Sequence, residues 1–376
     1  MDFSFSGILS GSSRLVLRKK TMVEEIVLRC AMAREFLYRP QMANRLMEQY
    51  GCAQEIFESK VCVDAFLPHS LKWASQEVEW CSNKGIRLIF YGEKDYPALL
   101  AQVPDAPFML YYKGEADLNN PRSISMVGTR LASVYGKEAC SMVVEHLAEY
   151  LPLIVSGLAY GIDIASHKAA LENGLPTVAV LPNGLDQVYP ARHRDVAVQM
   201  VRGGGGLLTE FPRGTAPQKL NFVKRNRIIA AMTQAVVVVE SRVKGGSMIT
   251  AEYASSYNKD IFAVPGRISD PNSFGCNYLI AKNVASIYSS AITVPSALGW
   301  SSGYGLEPEL QPQLFSFDVE NKEKILLTLK FDTITDVEKI CAATGLEWGT
   351  VSSLLLELEL EGRVVSKGNT EYCLKR

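Results

Sequence analysis

Between Arg213 and Arg227 lie the cations Arg213, Lys219, Lys224, Arg225 and Arg227, with no acid among them and Phe222 interleaved. Arg242 and Lys244 follow one predicted strand later. Lysine and arginine suit phosphates, and a phenylalanine face can take a base, so the segment reads as a site for single-stranded nucleic acid. The rival account is a solvated loop face with the ring in the core; for Phe222 by itself, core and stacking fit equally. Asn226, just ahead of the apolar Ile228-Ile229-Ala230, suits capping or orienting the loop.

Glycine loops follow the predicted strands. The first strand runs into Gly128-Thr129-Arg130, the second into Ser156-Gly157 and then Gly161-Ile162-Asp163. The third runs into Pro182-Asn183-Gly184, the fifth into Glu240 and then Lys244-Gly245-Gly246-Ser247. Glycine lets backbone N–H groups approach an anion, and a helix N-terminus adds partial positive charge. Any one such loop is more often a turn. Several on one sheet edge, two beside a cation (Arg130, Lys244), point to a phosphate-binding rim. No Gly-x-Gly-x-x-Gly and no Gly-x-x-x-x-Gly-Lys-Ser/Thr is present, so no dinucleotide cofactor or P-loop nucleotide is expected.

Catalytic groupings are poor, and no catalytic residue, metal or cofactor is expected. His69, His146, His167 and His193 do not pair at metal spacing. Asp163 and His167 stand four apart, which predicts a shared helix face and a structural pair. Ser156 lacks the frame of an activated nucleophile. Glu210 and Glu240 each end a strand, and one carboxylate there defines no reaction.

The elements that must position these residues can be read from periodicity. Near-continuous apolar runs at Ser123–Val127, Leu153–Val155, Thr177–Leu181, Gly206–Leu208, Ala235–Val239 and Ile261–Val264 alternate with amphipathic helical stretches. That pattern predicts an α/β fold: a Rossmann-like, doubly wound parallel sheet buried on both faces. Ligands of such sheets bind at the carboxyl ends of the strands. The expected domains are a disordered extension over 1–21 (Met1 or Met22 being the true start), a helical module over 22–84 and the Rossmann-like domain over 85–290. A linker over 291–320 and a winged helix over 321–376 complete the chain. In the winged helix, Val351, Leu354, Leu355 and Leu358 form the core stripe of the third helix. That helix carries Glu357, Glu359 and Glu361 and no cation, so the winged helix is expected to contact protein or to serve structure rather than read a DNA groove. The apolar stretch Tyr278–Tyr288 is the expected dimer edge.

The chain has 376 residues with 39 basic against 40 acidic and a net charge of −1, which excludes a polycationic DNA-packaging protein but not a local basic patch. Its eight cysteines are scattered without a Cys-x-x-Cys pair, as buried apolar residues of a reducing compartment would be. No apolar run approaches a membrane span, and a cytoplasmic protein without membrane contact is expected.

Taken in order, these motifs closely resemble the DNA-processing protein A family (DprA, also called Smf). The resemblance rests on Val127–Arg130; Ser156-Gly157 with Gly161-Ile162-Asp163 and His167; Val180-Leu181 with Gly184, Asp186, Tyr189 and Pro190. It continues through Arg225–Ala230, Gly246-Ser247 with Thr250-Ala251, Val264-Pro265-Gly266, and Gly275-Cys276-Asn277. It implies an extended Rossmann-like, doubly wound parallel sheet in a protein that binds single-stranded DNA without catalysis, loads the RecA recombinase in natural transformation and recombination, and forms a homodimer through the Rossmann domain. By position, the implied DNA pocket is Gly128, Thr129, Arg130, Ser156, Gly157, Lys219, Phe222, Arg225, Asn226, Lys244 and Ser247. The alternative is a nucleotide-binding enzyme: Gly245–Glu252 loosely resembles the Gly-Gly-x-Gly-Thr-x-x-Glu loop of nucleoside-monophosphate phosphoribohydrolases, broken here by Met248 and a displaced threonine.

Overall fold

The computed structural model describes residues 25–61, 63–301, 316–330, 333–368 and 370–374. The extension over 1–21, the start at Met22 and residues 302–315 of the expected linker lie outside them. The chain divides into two compact units, Met1–Ser301 and Ser302–Arg376.

In the first unit, α1 (25–35), α2 (Pro40–Tyr50), α3 (Ala53–Ser59) and α4 (Pro68–Asn83) precede the sheet. The strands are β1 (Arg87–Phe90), β2 (Met109–Gly114), β3 (Ser123–Val127), β4 (Leu153–Ser156), β5 (Thr177–Val180), β6 (Gly206–Thr209), β7 (Ala235–Val238), β8 (Asp260–Ala263) and β9 (Ser286–Ile287). Between them lie α5 (Ala98–Ala101), α6 (Val134–Leu147), α7 (Ile162–Glu172), α8 (Arg194–Arg202), α9 (Lys219–Ala231), α10 (Gly246–Ser256) and α11 (Phe274–Ala281); α12 (Thr293–Ala297) follows. The sheet order is β1-β2-β6-β5-β4-β3-β7-β8-β9. From β6 to β9 every pairing is parallel, while β1 and β2 extend the sheet antiparallel beyond β6. The sheet is therefore mixed and mostly parallel, the expected doubly wound α/β sheet with an antiparallel extension at one edge.

Strand residues divide by parity. Along β7, Ala235 and Val237 join the cluster with α6 and α7, while Val236 and Val238 join the one with α9, α10 and α11. Both faces are buried, so the strands read as unbroken apolar runs. The chain leaves β3 towards β4, β5 and β6, then returns to the other side of β3 with β7. That reversal leaves a crevice outside the carboxyl ends of β3 and β7, where an open α/β sheet takes its ligand.

The helices α1–α4 pack on the β1–β2 extension and share its core, with Met32, Ile56 and Cys81 beside Phe90, Phe108 and Tyr111. The start of the expected linker is ordered: Val294 of α12 is fully buried beneath the sheet, and Trp300 Nε1 donates to Gln234 Oε1 at 2.9 Å. A Ser- and Pro-rich composition hid these few anchoring apolar residues. Among the described residues, no helix is long and apolar enough to cross a membrane, and the described cysteines are free thiols.

The second unit is a winged helix: α13 (Ser316–Thr328), α14 (Val337–Thr344) and α15 (Trp348–Leu360), with β10 (Thr335–Asp336), β11 (Val364–Ser366) and β12 (Glu371–Leu374) in the order β10-β12-β11. Val351, Leu354, Leu355 and Leu358 fill its core as the spacing predicts. Glu357 and Glu361 are not the bare acidic face expected; both pair with Lys322 Nζ, each at 2.7 Å. That cation comes from α13, which α15's own sequence does not show.

Candidate nucleic-acid interface

The crevice at the reversal point is a cavity of about 620 Å³. The loop after β3 supplies Gly128, Thr129 and Arg130; the loop after β7 supplies Arg242, Lys244 and Gly245; the first turns of α9 supply Lys219, Phe222, Arg225 and Asn226; and α10 opens onto it with Gly246 and Ser247. Ala159 and Asp163 close the side towards β4. The structure thus brings nine of the expected residues together and leaves Ser156 and Gly157 outside the lining. It adds Arg242, whose place two residues before Lys244 on the same strand exit is the signal for it.

At Gly128 the loop after β3 passes close to α7 and to the end of β7. A Cβ there would stand 2.4 Å from Ile162 Cγ1 and 2.9 Å from the Glu240 carbonyl oxygen. The Thr129 N–H already donates to that carbonyl at 2.6 Å, so this loop offers side chains rather than an amide cradle. Ser133 caps α6 by accepting from Gly136 N–H, and Ser133 N–H donates to Glu240 Oε2. Glu240 therefore fixes the two loops together instead of facing a substrate.

The basic run divides sharply. Lys219 is exposed at the start of α9 and makes no ion pair among the described residues; the same holds for Arg130 and Lys244. Arg130 lays its guanidinium 4.7 Å from the centroid of the half-buried Phe222 ring. Phe222 is thus a wall of the cavity beside a cation, which settles its placement against a simple core position. Arg225 is buried, and its Nη1 donates to the Gly157 and Val180 carbonyls at 2.6 and 2.5 Å. A Cβ on Gly157 would strike that guanidinium, so Gly157 makes room for Arg225 rather than for a phosphate. Burial lowers Arg225 to about 10, which still leaves it a cation at neutral pH. Burial raises the Asp163 carboxyl, with Arg225 pulling the other way. Ser156 Oγ donates to the Met126 carbonyl at 2.6 Å, and Ser247 and Ser241 share a hydroxyl hydrogen bond at 2.8 Å; both serines pin the scaffold. Asn226 Oδ1 accepts from Arg225 Nε, the orienting part its position suggested.

The remaining cations of the run serve elsewhere. Arg227 pairs with the buried Glu210 and reaches Asp105. Lys224 Nζ sits 3.7 Å from the centroid of Tyr38, and Arg213 pairs with Glu77 at 3.3 Å beside Trp80. Among the described residues there is no group of histidine, cysteine and carboxylates able to hold a metal.

Asp163 and His167 do not form the expected pair. Asp163 accepts from Ala159 N–H, while His167 lies fully buried with Nδ1 2.7 Å from Thr177 Oγ1. Thr177 donates its own proton to the Ile154 carbonyl, so His167 Nδ1 carries the ring proton and Nε2 is left without a partner. Burial, aided by the Arg225 charge, holds this imidazole down to about 3. Below its ordinary value near 6.5 the unfolded chain takes up a proton that the folded one refuses. The neutral ring therefore contributes stability above pH 6.5 that is lost as the pH falls towards 3. We expect the unfolding midpoint to drop between pH 7 and pH 5 with a slope of at most about 1.4 kcal/mol per pH unit from this residue. His167→Asn is expected to flatten that slope; denaturant titrations with parallel slopes in the two proteins would refute the assignment.

Comparison with known proteins bears on the whole arrangement. The family model for DNA recombination-mediator protein A matches residues 87–298, and that of the DprA winged helix domain matches residues 318–368. Protein Smf of Escherichia coli (strain K12) is 33% identical over 307 residues, spanning 80% of this chain and 81% of Smf. The X-ray structure of DNA processing protein A (DprA) from Streptococcus pneumoniae aligns with a TM-score of 0.54 at 35% identity, over 61% of this chain and 82% of that one. A Helicobacter pylori DNA processing protein A, whose structure is described in terms of its unique single-stranded DNA binding mode, aligns with a TM-score of 0.51 at 29% identity. That match covers 57% of this chain and 95% of that one.

Proposed function

This chain belongs to the DNA recombination-mediator protein A family, and on that premise we propose that it is a non-catalytic single-stranded DNA-binding protein. In this reading it protects incoming or processed DNA and loads the RecA recombinase during transformation and recombination. It works in the cytoplasm as a homodimer joined through the Rossmann-like domain. The observation that carries the proposal is the crevice between β3 and β7, where Arg130 lies over the Phe222 ring and Lys219, Arg242 and Lys244 line the same cavity. Arg130, Lys219 and Lys244 meet phosphates and Phe222 takes a base, while Gly128, Thr129, Asn226 and Ser247 shape the wall. Ser156, Gly157 and Arg225 form its support.

The reading as a phosphoribohydrolase is less well supported. Glu252, the acid of the loosely matching loop, is exposed on α10 and does not line the cavity; Asp163, which does, faces Arg225. For the dimer, the sheet ends at the two-residue β9 with Ile287 exposed, and Tyr278 is exposed on the preceding α11, which supports pairing along that edge.

The test is a titration of matched single- and double-stranded oligonucleotides at two salt concentrations, run beside a nucleotide-hydrolysis assay. Single strands are expected to bind more tightly than duplex, whose bases are not free to stack. Their affinity should fall with salt at a log–log slope of about −0.7 per phosphate neutralised. Preference for duplex, salt-insensitive binding or turnover of a nucleotide would each count against the proposal.

A further inference from the structure

One motif is left over by the pocket. Gly184, Asp186, Tyr189 and Pro190, on the loop after β5, do not line the cavity. That loop is nonetheless tightly fixed to the segment where the basic run begins. Gly184 N–H donates to the Thr215 carbonyl at 3.3 Å, and Asp186 Oδ1 accepts from Gly214 N–H at 3.1 Å. A Cβ on Gly184 would come within 2.5 Å of the Pro212 carbonyl oxygen, so the close approach itself requires glycine. This fastening holds Tyr189 against Phe222: the two rings meet edge to face with centroids 5.8 Å apart, and Tyr189 stays 39% exposed.

The adjacent loop repeats the arrangement. β4 pairs with β5, and the loop after β4 carries Tyr160, which is 45% exposed. Its ring meets that of His193 at 4.9 Å, and His193 is buried with Nδ1 2.8 Å from the Leu158 carbonyl oxygen. Arg192, between Tyr189 and α8, and Arg194, the first residue of α8, are both exposed and without an ion pair among the described residues. Exposed rings held against the half-buried Phe222 and the buried His193, with exposed cations beside them in the chain and continuous with the Phe222 wall, are what an extended single strand requires. A protein-docking face would instead gather apolar side chains into one patch.

We propose that a single strand leaving the pocket past Phe222 continues across the ends of β4 and β5, stacking bases on Tyr189 and Tyr160 while Arg192 and Arg194 meet its phosphates. The inference rests on the single-strand reading above and turns its pocket into one end of a track.

The experiment uses the full chain and deoxythymidine oligonucleotides of increasing length, read by fluorescence anisotropy. Tyr189→Leu and Tyr160→Leu are each expected to weaken binding of the longer oligonucleotides roughly ten-fold, the order expected for one lost stacked base. The loss should vanish for the shortest ones, which fill the pocket only. The salt slope should not change, because a ring neutralises no phosphate, and Tyr189→Phe should bind like the unmodified chain. Bromodeoxyuridine-substituted oligonucleotides should photocrosslink to Tyr189 and Tyr160, a contact that a merely structural role would not produce. Unchanged binding of long oligonucleotides by both leucine variants, with Arg130→Ala still weakened, would overturn the track and leave the pocket standing. Absence of crosslinks at both tyrosines would overturn it as well. No single-strand binding by the unmodified chain would overturn both readings together.

Discussion

Replacing Arg130 and Lys219 together by alanine is expected to lower affinity for a single strand about a hundred-fold at fixed salt, on the order of ten-fold for each charged contact. Both side chains are exposed and form no ion pair among the described residues, so the melting temperature should hardly move. Arg130 also gives up its place over the Phe222 ring, 4.7 Å from the centroid, so a stacked base loses a neighbour as well as a phosphate partner. The log–log salt slope should flatten by about 1.4, since two fewer phosphates are neutralised. Equilibrium titration at several salt concentrations checks both. Unchanged affinity with an unchanged slope would place the site elsewhere on the molecule.

Arg227→Ala should have the opposite profile. The Arg227–Glu210 pair is buried on both sides, and Arg227 also reaches Asp105, itself held by the Tyr257 hydroxyl at 2.7 Å. Removing the cation leaves a buried carboxylate without its partner, which costs about 3–5 kcal/mol. Glu210 can escape only by taking a proton, and burial already raises its carboxyl. Without Arg227 that carboxyl rises further. An acid whose folded value lies above its unfolded one favours the folded state at low pH and loses that advantage as the pH rises. The deficit of Arg227→Ala should therefore be smaller at pH 5 than at pH 8. Glu210→Gln in the Arg227→Ala background should recover part of it at the higher pH. Denaturant unfolding measures all three. A loss below about 1 kcal/mol would mean that the pair is far less confined than its burial indicates.

These two substitutions sit in the same basic context and separate what could be read along the chain from what could not. The alternation of apolar runs and helices was legible because a strand buried on both faces must be apolar throughout, and a crossover helix must return between parallel strands. The doubly wound rule then puts the exits of β3 and β7 on one edge, so Gly128–Arg130 and Lys244–Ser247 were legible as one site from order in the chain. The position of β1 and β2 was not, because nothing local tells an antiparallel extension which edge it will join. The anchoring of Val294 and Trp300 was likewise set by a distant sheet.

Least legible was the fate of the individual charges. Sequence determined that cations concentrate between Arg213 and Arg227, and that a chain of net charge −1 places this asymmetry in one segment. It could not determine which of them are free. Successive residues on α9 face different directions, each about 100° from the last, and the groups that claim them come from far along the chain. Arg225 turns into the scaffold toward Gly157 and Val180, Arg227 toward Glu210 and Asp105, and Lys224 toward Tyr38; ahead of the helix, Arg213 is taken by Glu77. Among the described residues of that run, Lys219 remains as the cation that is both exposed and on the cavity wall. Composition supplied the charge, but only the packing of distant elements decided which charges face a ligand, because a buried cation must find its partner wherever the fold places one.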